Sequence, residues 1–481
     1  MKQENEERNL MEKIVSLCKR RGFVFPGSEI YGGLANSWDY GPLGVELKNN
    51  IKQLWWKKFV RERDDVVGID TAIIMSPKVW EASGHIKEFS DSLIECQVLD
   101  CHERIRVDDP YSPESTKTTA AHISKKHPEL MGKAVGFKIF TEPKQFNLML
   151  KTNLGPVEDK NSEVYFRPET AQGMFVNFKN VLDTTRKTLP FGIAQIGKAF
   201  RNEVTPGNFI FRTREFEQME IEYFIPEPDP ENGESWRKYF EMWQKEMMDW
   251  IREVGINSER VVQIEVAEDE RAHYSRRTVD FEYQFPFGQK ELYGLAYRGD
   301  FDLKNHEKAS GVNLKYKSAD KEEAPFWPPA IEPTWGVDRT VLAVLLDAYT
   351  EESERVVLKL VPKLAPYKAA VFPLLANKPE LVALARKVYD MLRKGNTSAG
   401  GGPALDGMVA WDDRGNIGKR YYSQDEIGTP FCITVDFDSL EKNDVTVRDR
   451  DTMKQERVMI EQLTDFLRNR IVFRSIAWNQ E

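Results

Sequence analysis

The residues best suited to chemistry lie in the segment from Phe200 to Glu220, which carries arginines and glutamates on both sides of a Thr-Pro-Gly-Asn break. Arginine binds phosphate oxygens well because its planar guanidinium group is always charged and can donate two parallel hydrogen bonds. Glutamates suit an ammonium group or an adenine amino group. The segment therefore fits a pocket for a small zwitterion and a polyphosphate, but a ladder of cross-strand ion pairs on a solvated sheet would use the same residues.

The apolar residues around these charges help to separate the two interpretations. If residues 209–224 form one strand, its even-numbered polar side chains share a face: Arg212, Arg214, Gln218, Glu220 and Glu222. Arg201 and Glu203 share a face of the preceding strand, and residues 205–208 form the connecting loop. Apolar residues occupy the opposite face, which indicates an internal sheet whose charges need partners.

A second cationic site is predicted in "GVDRTVLAVLLDAY", where Arg339 follows Gly336 in the first turn of an apolar helix. Helix N-termini favour anions, and an arginine there strengthens phosphate binding. A local ion pair with Asp338 or Glu332 is the alternative. Glu169 in "RPETAQG" and Glu332 in "AIEPTWG" lie beside prolines in turn-like sequences, and each alone is a weak signal.

Length and composition describe a multidomain globular protein. The 481 residues are enough for two or three domains, and 41% hydrophobic with 30% charged residues is ordinary for a soluble chain. A net charge of −9 argues against a protein that coats nucleic acid non-specifically. Four scattered cysteines and a charged N-terminus without a secretory signal predict a reducing cytoplasm. No apolar run reaches the roughly 20 residues that cross a bilayer.

Hydrophobic periodicity predicts the elements that must position these side chains. "GPLGVELKNNIKQLWWKKFV" predicts a helix from Pro42 to Val60, and "VVGIDTAIIMSP" predicts a strand that ends at Pro77. Residues 86–159 are irregular and polar, which indicates an insertion on a core. "SWRKYFEMWQKEMMDWIREVG" predicts a helix whose aromatic stripe indicates core packing.

The pattern changes after Leu364, where alternating strands and helices predict a separate α/β domain. Its last segment, "ERVMIEQLTDFLRNRI", is predicted to be a helix, and residues 396–407, "NTSAGGGPALDG", a flexible loop. The predicted organisation divides the chain into a first part at 1–85, an insertion at 86–160, a core at 161–360 with a helical insertion near 230–272, and a C-terminal domain at 366–481.

Together these segments resemble the class II aminoacyl-tRNA synthetases and, among them, closely the dimeric glycyl-tRNA synthetases. "GPLGVELKNNIKQLWW" with the strand after it resembles motif 1 of that class, "FRNEVTPGNFIFRTREFEQMEIEYF" resembles motif 2, and "EPTWGVDRT" resembles motif 3. "YGGLANSWDYGPLG", "WEASGH", "RPETAQG" and "QDEIGTPFCITVDFD" are similar to segments typical of the glycyl enzymes. The resemblance covers nearly the whole chain, and this combination of motifs is highly specific.

The resemblance implies an α+β fold, in which a six-stranded antiparallel sheet with flanking helices forms the first part of the protein and the core. It also implies dimerisation through motif 1 and a C-terminal anticodon-binding α/β domain. The implied reaction uses ATP and magnesium to convert glycine to glycyl-adenylate and pyrophosphate, then transfers glycine to the terminal adenosine of tRNA(Gly). The implied partners are glycine, ATP, tRNA(Gly) and a second copy of the chain in the cytoplasm, with neither a membrane nor DNA.

The resemblance also assigns roles to single residues. It implies that Arg201 binds the α-phosphate and the glycine carboxylate, and that Glu203 binds the adenine amino group. Arg212 and Arg339 would hold the outer phosphates, with Phe216 stacked on adenine, so Arg201 and Arg339 are the implied catalytic residues. The implied ATP site, with Glu291 as a magnesium ligand, comprises Arg201, Asn202, Glu203, Phe211, Arg212, Thr213, Arg214, Glu215, Phe216, Glu291, Leu292, Gly336, Val337, Asp338 and Arg339. The implied glycine site comprises Arg106, Glu169, Phe216, Glu217, Gln218, Met219, Glu220, Glu332, Pro333, Thr334, Trp335 and Gly336.

The implied glycine site is physically consistent, because glycine offers only its ammonium and carboxylate groups for recognition. The resemblance implies that Glu169, Glu220 and Glu332 surround the ammonium group. No general base is needed, since the attacking carboxylate is already ionised, and catalysis then depends on positioning and on stabilising phosphoryl charge. Thr334 and Trp335 stand where the family usually has serine and a smaller residue, and the loop at 396–407 is longer than usual.

Zinc is not predicted. Cys96 and Cys101 resemble half of a zinc-binding insertion, but the second cysteine pair of such a site is absent. His102 beside Cys101, and His122 and His127 further along the chain, are the other ligand types in this region.

Two other functions use the same fold. A non-catalytic nucleic-acid-binding relative, such as an accessory subunit of a polymerase, would have lost the phosphate-binding arginines, whereas Arg201, Arg212 and Arg339 are all present. A synthetase for another small amino acid is disfavoured by the glutamates and by the glycyl-type segments.

Overall fold

The computed structural model describes residues 2–107, 113–131, 139–157, 162–204, 207–227, 233, 235–317, 324–395 and 404–477. Its α-helices are α1 (Lys2–Arg21), α2 (Pro42–Trp56), α3 (Pro77–Ala82), α4 (His85–Glu88), α5 (Pro113–Lys126), α6 (Ala171–Val176), α7 (Phe178–Thr185), α8 (Arg237–Glu253), α9 (Phe301–Ser310), α10 (Val337–Ala348), α11 (Pro379–Lys394), α12 (Ile417–Asp425), α13 (Phe437–Lys442) and α14 (Leu463–Ala477). Within these ranges, none of the helices is both long enough and apolar enough to cross a bilayer.

The strands from the N-terminus to the core are β1 (Val24–Pro26), β2 (Trp38–Tyr40), β3 (Val66–Gly68), β4 (Ile74–Met75), β5 (Ser90–Glu95), β6 (Arg104–Arg106), β7 (Lys144–Asn147), β8 (Lys151–Asn153), β9 (Glu163–Phe166), β10 (Phe191–Phe200) and β11 (Glu215–Phe224). The remaining strands are β12 (Val261–Glu265), β13 (Arg277–Phe285), β14 (Gly288–Gly299), β15 (Ala330–Gly336), β16 (Tyr349–Glu351), β17 (Val356–Leu358), β18 (Tyr367–Pro373), β19 (Met408–Trp411), β20 (Phe431–Val435), β21 (Asp444–Asp449) and β22 (Gln455–Met459).

The largest sheet has seven strands in the order β12-β13-β14-β15-β11-β10-β3. Neighbouring strands from β12 to β10 run antiparallel, whereas the short edge strand β3 pairs with β10 in parallel. The predicted antiparallel sheet of six strands with flanking helices is therefore confirmed, and one short parallel strand is added to it.

Aromatic side chains join the helices to this sheet. The Trp55 ring at the end of α2 lies 5.5 Å from the Trp335 ring on β15, and Phe59 lies 4.9 Å from that same ring. Trp243 and Trp250 on α8 both lie 5.9 Å from Phe59. All five side chains are fully buried, so the predicted aromatic stripe on α8 is core, as expected. The apolar face of α2 is likewise buried against its own chain.

A small sheet of order β6-β5-β7 and helix α5 form most of the described part of the predicted insertion. Its buried apolar cluster is limited to Ile94, Cys96, Ile105, Val107 and Phe140, with a few half-buried neighbours. Residues 108–112, 132–138 and 158–160 of the insertion lie outside the described residues.

The C-terminal region contains a five-stranded sheet of order β19-β18-β20-β21-β22. Strand β18 is parallel to β19 and β20, and the last two strands are antiparallel to their neighbours. Helices α11 and α14 contribute Leu381, Val388, Leu463 and Leu467 to a separate apolar core. The predicted alternation of strands and helices is present, and residues 396–403 of the predicted loop lie outside the described residues.

Two predicted elements that contain prolines differ from the structure. The strand predicted up to Pro77 is broken into β3 and β4, and Pro77 instead begins α3, where its missing N–H costs nothing. "AIEPTWG", expected to be a turn, is strand β15. Its Pro333 faces Leu295 on β14, and the pairing of β15 with β11 is interrupted around Pro333, since proline cannot donate to a ladder.

Two further boundaries differ from the prediction. Residues 209–211 form a 3₁₀ turn and β11 begins at Glu215, so Arg212 and Arg214 lie in a loop rather than on a strand face. The final predicted helix begins only at Leu463, because residues 455–459 pair with β21 as strand β22. Only Val458 of "QERVM" is buried, so the pairing with β21 rather than an apolar pattern defines this strand.

Buried ion pairs join the C-terminal region to the rest of the chain. The fully buried Asp425 at the end of α12 accepts hydrogen bonds from Arg355 (Nη1–Oδ2 2.5 Å) and from Arg448 (2.8 and 2.9 Å). Arg450 is also buried and donates to the carbonyl oxygen of Leu360 at 2.9 Å. One carboxylate therefore neutralises guanidinium groups from both sides of the junction.

We expect Asp425→Ala to lower the free energy of unfolding by about 3–5 kcal/mol, because it removes the countercharge beside the buried Arg448 and leaves Arg355 paired with Glu352 alone. Urea unfolding followed by tryptophan fluorescence measures the loss. The control is Asp438→Ala, which removes an exposed i,i+4 pair with Lys442 and should change stability by no more than about 0.5 kcal/mol. Equal midpoints for the two variants would contradict this role of the junction.

Candidate functional site

Two adjoining pockets lie where β10, β11, β14 and β15 run side by side. Both are lined by Arg201, Gln218, Glu291 and Thr334, which form a shared wall. The arginine pocket adds these predicted residues: Glu203, Phe211, Arg212, Thr213, Phe216, Glu217, Leu292, Gly336, Asp338 and Arg339. The carboxylate pocket adds Glu169, Glu220 and Glu332, together with Tyr274 and Asp280, which were not predicted.

The arginine pocket holds three guanidinium groups beside aromatic rings. Arg201 follows the end of β10, donates from Nε to the carbonyl oxygen of Pro168 at 3.0 Å, and lies 5.3 Å from the Phe216 ring centre. Arg339 in the first turn of α10 lies 4.5 Å from the Phe211 ring centre. Arg212 lines the same pocket.

These contacts orient the guanidinium groups without neutralising them fully. Among the described residues, the carboxylate paired with Arg339 is that of Glu291, whose Oε2 lies 3.0 Å from Nη1. The N-terminus of α10 adds its own partial positive charge at the same place. Several positive groups around one open pocket fit a ligand with several negative charges, such as a polyphosphate.

The carboxylate pocket is strongly acidic. Glu220 accepts hydrogen bonds from the hydroxyl groups of Thr170 and Thr334, the second at 2.9 Å. Glu169 lies 3.1 Å from Nε2 of His85 and accepts from Nε2 of Gln172 at 3.1 Å. These carboxylates are almost wholly buried, so the hydroxyl and amide groups replace the water that they lose.

One fully buried arginine, Arg298 on β14, organises the acidic side chains. It donates to both carboxylate oxygens of Asp302 at 2.8 Å and to Glu332 at 2.8 Å, and it lies 3.8 Å from Glu169. Its guanidinium group stacks 3.6 Å above the Tyr274 ring centre. Arg298 is therefore enclosed by carboxylates below and an aromatic ring above.

Burial changes how readily these glutamates ionise. Burial would raise the pKa of Glu169, but His85 and Arg298 outweigh it and the pKa is lowered, so this carboxylate is ionised. Burial, with the neighbouring charge of Glu169, raises the pKa of Glu220. Burial also raises the pKa of Glu332 well above its ordinary value despite Arg298. The pocket thus holds more carboxylates than its cations can neutralise, which favours a positively charged ligand.

An unpaired acceptor points to the same ligand. Among the described residues, Oε1 of Gln218 is buried and has no hydrogen-bond partner, although Gln218 belongs to the shared wall of the two pockets. A buried acceptor without a donor is costly, and an N–H from a ligand would satisfy it. A small ammonium compound fits this need and the surplus of carboxylates together.

Glu291 and Asp280 offer oxygen atoms suited to magnesium. Both carboxylates lie beside Gly294. If this glycine carried a Cβ atom, that atom would lie 3.7 Å from Oε1 of Glu291 and 3.9 Å from Oδ1 of Asp280. Burial opposes ionisation of Glu291, but Arg339 outweighs it and lowers its pKa. Burial and the charges of Glu291 and Glu282 raise the pKa of Asp280 to about 7. Carboxylate oxygens are ligands that magnesium prefers, so these residues fit the ion.

Some predicted site residues serve the scaffold instead. The Asp338 carboxylate accepts from Tyr40 at 2.5 Å, from Lys48 at 2.9 Å and from the Glu217 amide at 2.8 Å, so it braces the wall of the arginine pocket. Glu217 itself pairs with Lys48 and with Lys52. The side chains of Met219, Trp335 and Val337 are fully buried in the apolar core.

Other predicted residues lie beside the pockets rather than in them. Arg214 and Glu215 line a neighbouring groove. The backbone N–H of Asn202 donates to the carbonyl oxygen of Leu148 at 2.7 Å. Pro333 is buried in β15. Arg106 lies on β6 in the insertion and is not among the residues that line either pocket.

Sequence reasoning missed the residues that hold the glutamates. Arg298 in "KELYGLAYRGDFDL" was not singled out, although a lone arginine in an apolar strand is itself a signal, because it must have a countercharge when buried. Thr170 and Gln172 lie within "RPETAQG", a segment that was noted only for Glu169. His85 in "WEASGH" had no visible link to a glutamate 84 positions later.

Comparison with protein families agrees with this geometry. Residues 156–349, which include most of both pockets, match the family model of the tRNA synthetase class II core domain (G, H, P, S and T). Residues 368–470 match the model of the anticodon binding domain. The antiparallel sheet, the two pockets and these matches define a class II aminoacyl-tRNA synthetase.

Relatives that match this chain over nearly their whole length identify the family within this class. The glycine–tRNA ligase of Alkaliphilus oremlandii is 50% identical, over 96% of this chain and 99% of its own length. That of Thermobifida fusca is 49% identical, over 96% of this chain and 98% of its own length. That of Geobacillus thermodenitrificans is also 49% identical, over 98% of this chain and 100% of its own length. The chain belongs to the glycine–tRNA ligase family.

We expect the buried Glu222 on β11 to make stability depend on pH. Among the described residues neither of its oxygens has a hydrogen-bond partner, and burial with the nearby Glu332 charge raises its pKa well above the ordinary value. The folded chain then binds a proton that the unfolded chain has released, so stability falls as pH rises above the ordinary glutamate pKa of about 4.3. Glu222→Gln should melt progressively higher than the parent across this range.

Thermal melting of both proteins at each pH measures the difference. The control is Glu227→Gln, an exposed position just beyond the same strand, which should follow the parent curve. Parallel curves for the parent and Glu222→Gln would show that Glu222 does not hold a proton in the folded protein.

Proposed function

We propose that this chain activates glycine with ATP and then esterifies tRNA(Gly) with it. The observation that carries the proposal is the shared wall: a pocket rich in arginine adjoins a pocket with surplus carboxylates, and Arg201 belongs to both. A polyphosphate in one pocket and an ammonium in the other would bring a carboxylate and an α-phosphate together beside Arg201. A non-catalytic relative would have no reason to keep three guanidinium groups around that pocket.

In the first step, a glycine carboxylate oxygen attacks the α-phosphorus of ATP. A new carboxylate–phosphate bond forms, the bond from the α-phosphorus to the bridging oxygen breaks, and pyrophosphate leaves with the electron pair. Arg201 stabilises the charge that develops on the α-phosphate, while Arg212 and Arg339 hold the outer phosphates. No proton moves from the nucleophile, so positioning and electrostatics supply the catalysis.

Magnesium is part of this proposal. Glu291 would hold the ion, and Asp280 joins it as a further oxygen donor that sequence reasoning did not include. When bound, the ion neutralises phosphate charge and makes pyrophosphate a better leaving group. Because Glu291 also pairs with Arg339, the carboxylate sets the position of that guanidinium group before ATP enters.

The carboxylate pocket would select glycine by charge and by size. Glu169 and Glu220 face the ammonium, and Gln218 supplies the unpaired acceptor. The rigid set of Arg298, Tyr274 and Glu332 leaves little freedom for the wall to move. A side chain larger than hydrogen would have to displace buried, hydrogen-bonded groups, which is a strong basis for rejection.

In the second step, a ribose hydroxyl of the terminal adenosine of the tRNA attacks the glycyl carbonyl carbon, and AMP leaves. The region matched by the anticodon binding domain would contact the other end of the tRNA, with the junction at Asp425 holding it to the catalytic region. We place this reaction in the cytoplasm, where the cysteines, none of which forms a disulfide here, would stay reduced.

We also propose that the chain works as a homodimer. The predicted interface was the apolar face of the Pro42–Val60 helix with the strand up to Pro77, but that face is buried in its own chain. An exposed apolar group nearby offers a surface instead: Ile30 is 88%, Tyr31 87% and Leu34 65% exposed. Exposing apolar side chains to water is unfavourable in free energy, and a cluster of them is typical of a protein–protein interface.

Glycine-dependent pyrophosphate exchange tests the reaction, because it needs glycine, ATP and magnesium but no tRNA. Arg201→Ala should slow exchange about a hundredfold to a thousandfold, since it removes the group at the developing charge. Glu220→Gln should mainly raise the KM for glycine. Alanine and serine should support little exchange.

The control is Arg414→Ala, an exposed arginine of the C-terminal region, which should leave exchange unchanged. A ladder of surface ion pairs would instead predict near-normal exchange in all three variants, with stability losses of about 1 kcal/mol or less. Near-normal exchange by Arg201→Ala would therefore defeat the proposed role of the pocket.

Sedimentation velocity at micromolar concentration tests the dimer. We expect the parent chain to sediment with twice the mass of one chain, and Ile30→Asp with Tyr31→Asp to shift it toward a single chain, because the charges cannot be buried. Val312→Asp, also at an exposed apolar position, is the control and should remain dimeric. A parent protein that sediments only as one chain would refute the proposal.

A further inference from the structure

Four side chains of metal-ligand type converge in the insertion, away from both pockets. Cys96 follows strand β5, Cys101 lies in the turn before β6, His122 lies near the end of α5, and His127 lies just beyond it. One ligand atom from each of the four lies within 4.8 Å of all the others. The expectation that both histidines are remote from the cysteines is therefore wrong, because α5 folds back onto β5.

The spacing of these atoms matches a tetrahedral site. Sγ of Cys96 lies 3.4 Å from Nε2 of His127, and Sγ of Cys101 lies 3.7 Å from Nε2 of His122. Zinc bonds of about 2.3 Å to sulfur and about 2.0–2.1 Å to nitrogen, at tetrahedral angles, put such atoms about 3.5 Å apart. The cluster thus needs little movement to enclose one ion.

The other nitrogen of each histidine faces a carboxylate. Nδ1 of His122 lies 3.5 Å from Oε2 of Glu103, and Nδ1 of His127 lies 3.7 Å from Oε1 of Glu129. Carboxylates at the outer nitrogen are the usual support of metal-bound histidine, because they orient the ring and make the inner nitrogen a better ligand. A chance meeting of four side chains would not require this arrangement at both rings.

The surroundings suit a structural ion rather than a catalytic one. Cys96, His122 and His127 are buried, and the apolar cluster of the insertion is small. A core of this size stabilises a sheet and a helix poorly, and a bound ion that joins them would supply the difference. Two thiolates with two imidazoles in a closed tetrahedron favour zinc over harder or redox-active metals.

We propose that Cys96, Cys101, His122 and His127 bind a structural zinc ion that joins the β5–β6 turn to α5. The same turn leads directly into β6, and β5 also pairs with β7. Beyond β7, the carbonyl oxygen of Leu148 accepts from the amide of Asn202, which is the residue after Arg201. The ion would thus stabilise an insertion that supports the loop of the arginine pocket.

Metal analysis of the untagged full-length chain, purified in reducing buffer without chelator, tests the site. We expect about one zinc ion per chain. Cys96→Ser with Cys101→Ser should lose nearly all of it, whereas His127→Cys should keep it, because a thiolate can replace the imidazole. His102→Asn is the matched control, since His102 lies in the same turn but outside the cluster and should retain the metal.

Cobalt substitution gives a second readout that does not depend on activity. Cobalt(II) added to the metal-free parent should produce the intense visible absorption of tetrahedral thiolate coordination, and zinc should remove that absorption. Limited proteolysis should cut within residues 90–147 faster in the double cysteine variant than in His102→Asn. The proposal fails if the parent holds no zinc and gives no such absorption, or if the double variant keeps its zinc.

Discussion

The catalytic geometry depends on one buried positive charge, the guanidinium group of Arg298. It is fully buried among Asp302, Glu332 and Glu169. Such a charge is stable only while its partners stay in position. Helix α9 holds Asp302 and strand β15 holds Glu332, whereas Glu169 lies between β9 and α6 and is held by Gln172 and His85.

This arrangement explains why the site has an excess of acid. Arg298 neutralises part of the cluster, His85 stabilises Glu169, and hydroxyl groups from Thr170 and Thr334 bind Glu220. The hydrogen bonds are sufficient for folding, but the charges remain unbalanced until a cation enters. Preorganisation of this kind lets a very small ligand gain affinity without paying to arrange its own receptor.

The sequence was sufficient to predict the antiparallel sheet and the residues that meet in the arginine pocket, because each of them lies in a short segment with its own chemical pattern. Arg201 and Arg339 belong to such segments. The same local view could not predict the role of Arg298, whose partners come from elements up to 129 positions away in the chain, counted from Glu169 to Arg298. Asp338 lines the arginine pocket, but the sequence did not show that its Oδ1 already accepts hydrogen bonds from Tyr40 and Lys48.

Long-range folding likewise accounts for the errors outside the pockets. His122 and His127 are far from the cysteines in the sequence but close to them in space. The helix of motif 1 was assigned to a dimer contact, whereas its Trp55 packs on Trp335 in the core of the same chain, 280 positions later. Periodicity shows that a face is apolar, but only tertiary structure shows what covers it.

The shared wall of the two pockets has a thermodynamic consequence. An ammonium ligand adds positive charge on one side of Gln218 and Thr334, and a phosphate ligand adds negative charge on the other, so the two occupants attract each other through the same few side chains. If the presence of one tightens binding of the other by some factor, linkage requires that the second tighten the first by the same factor. The enzyme then needs no fixed order of substrate entry: either route leads to the same ternary complex, and cooperativity is symmetric between two chemically unlike molecules.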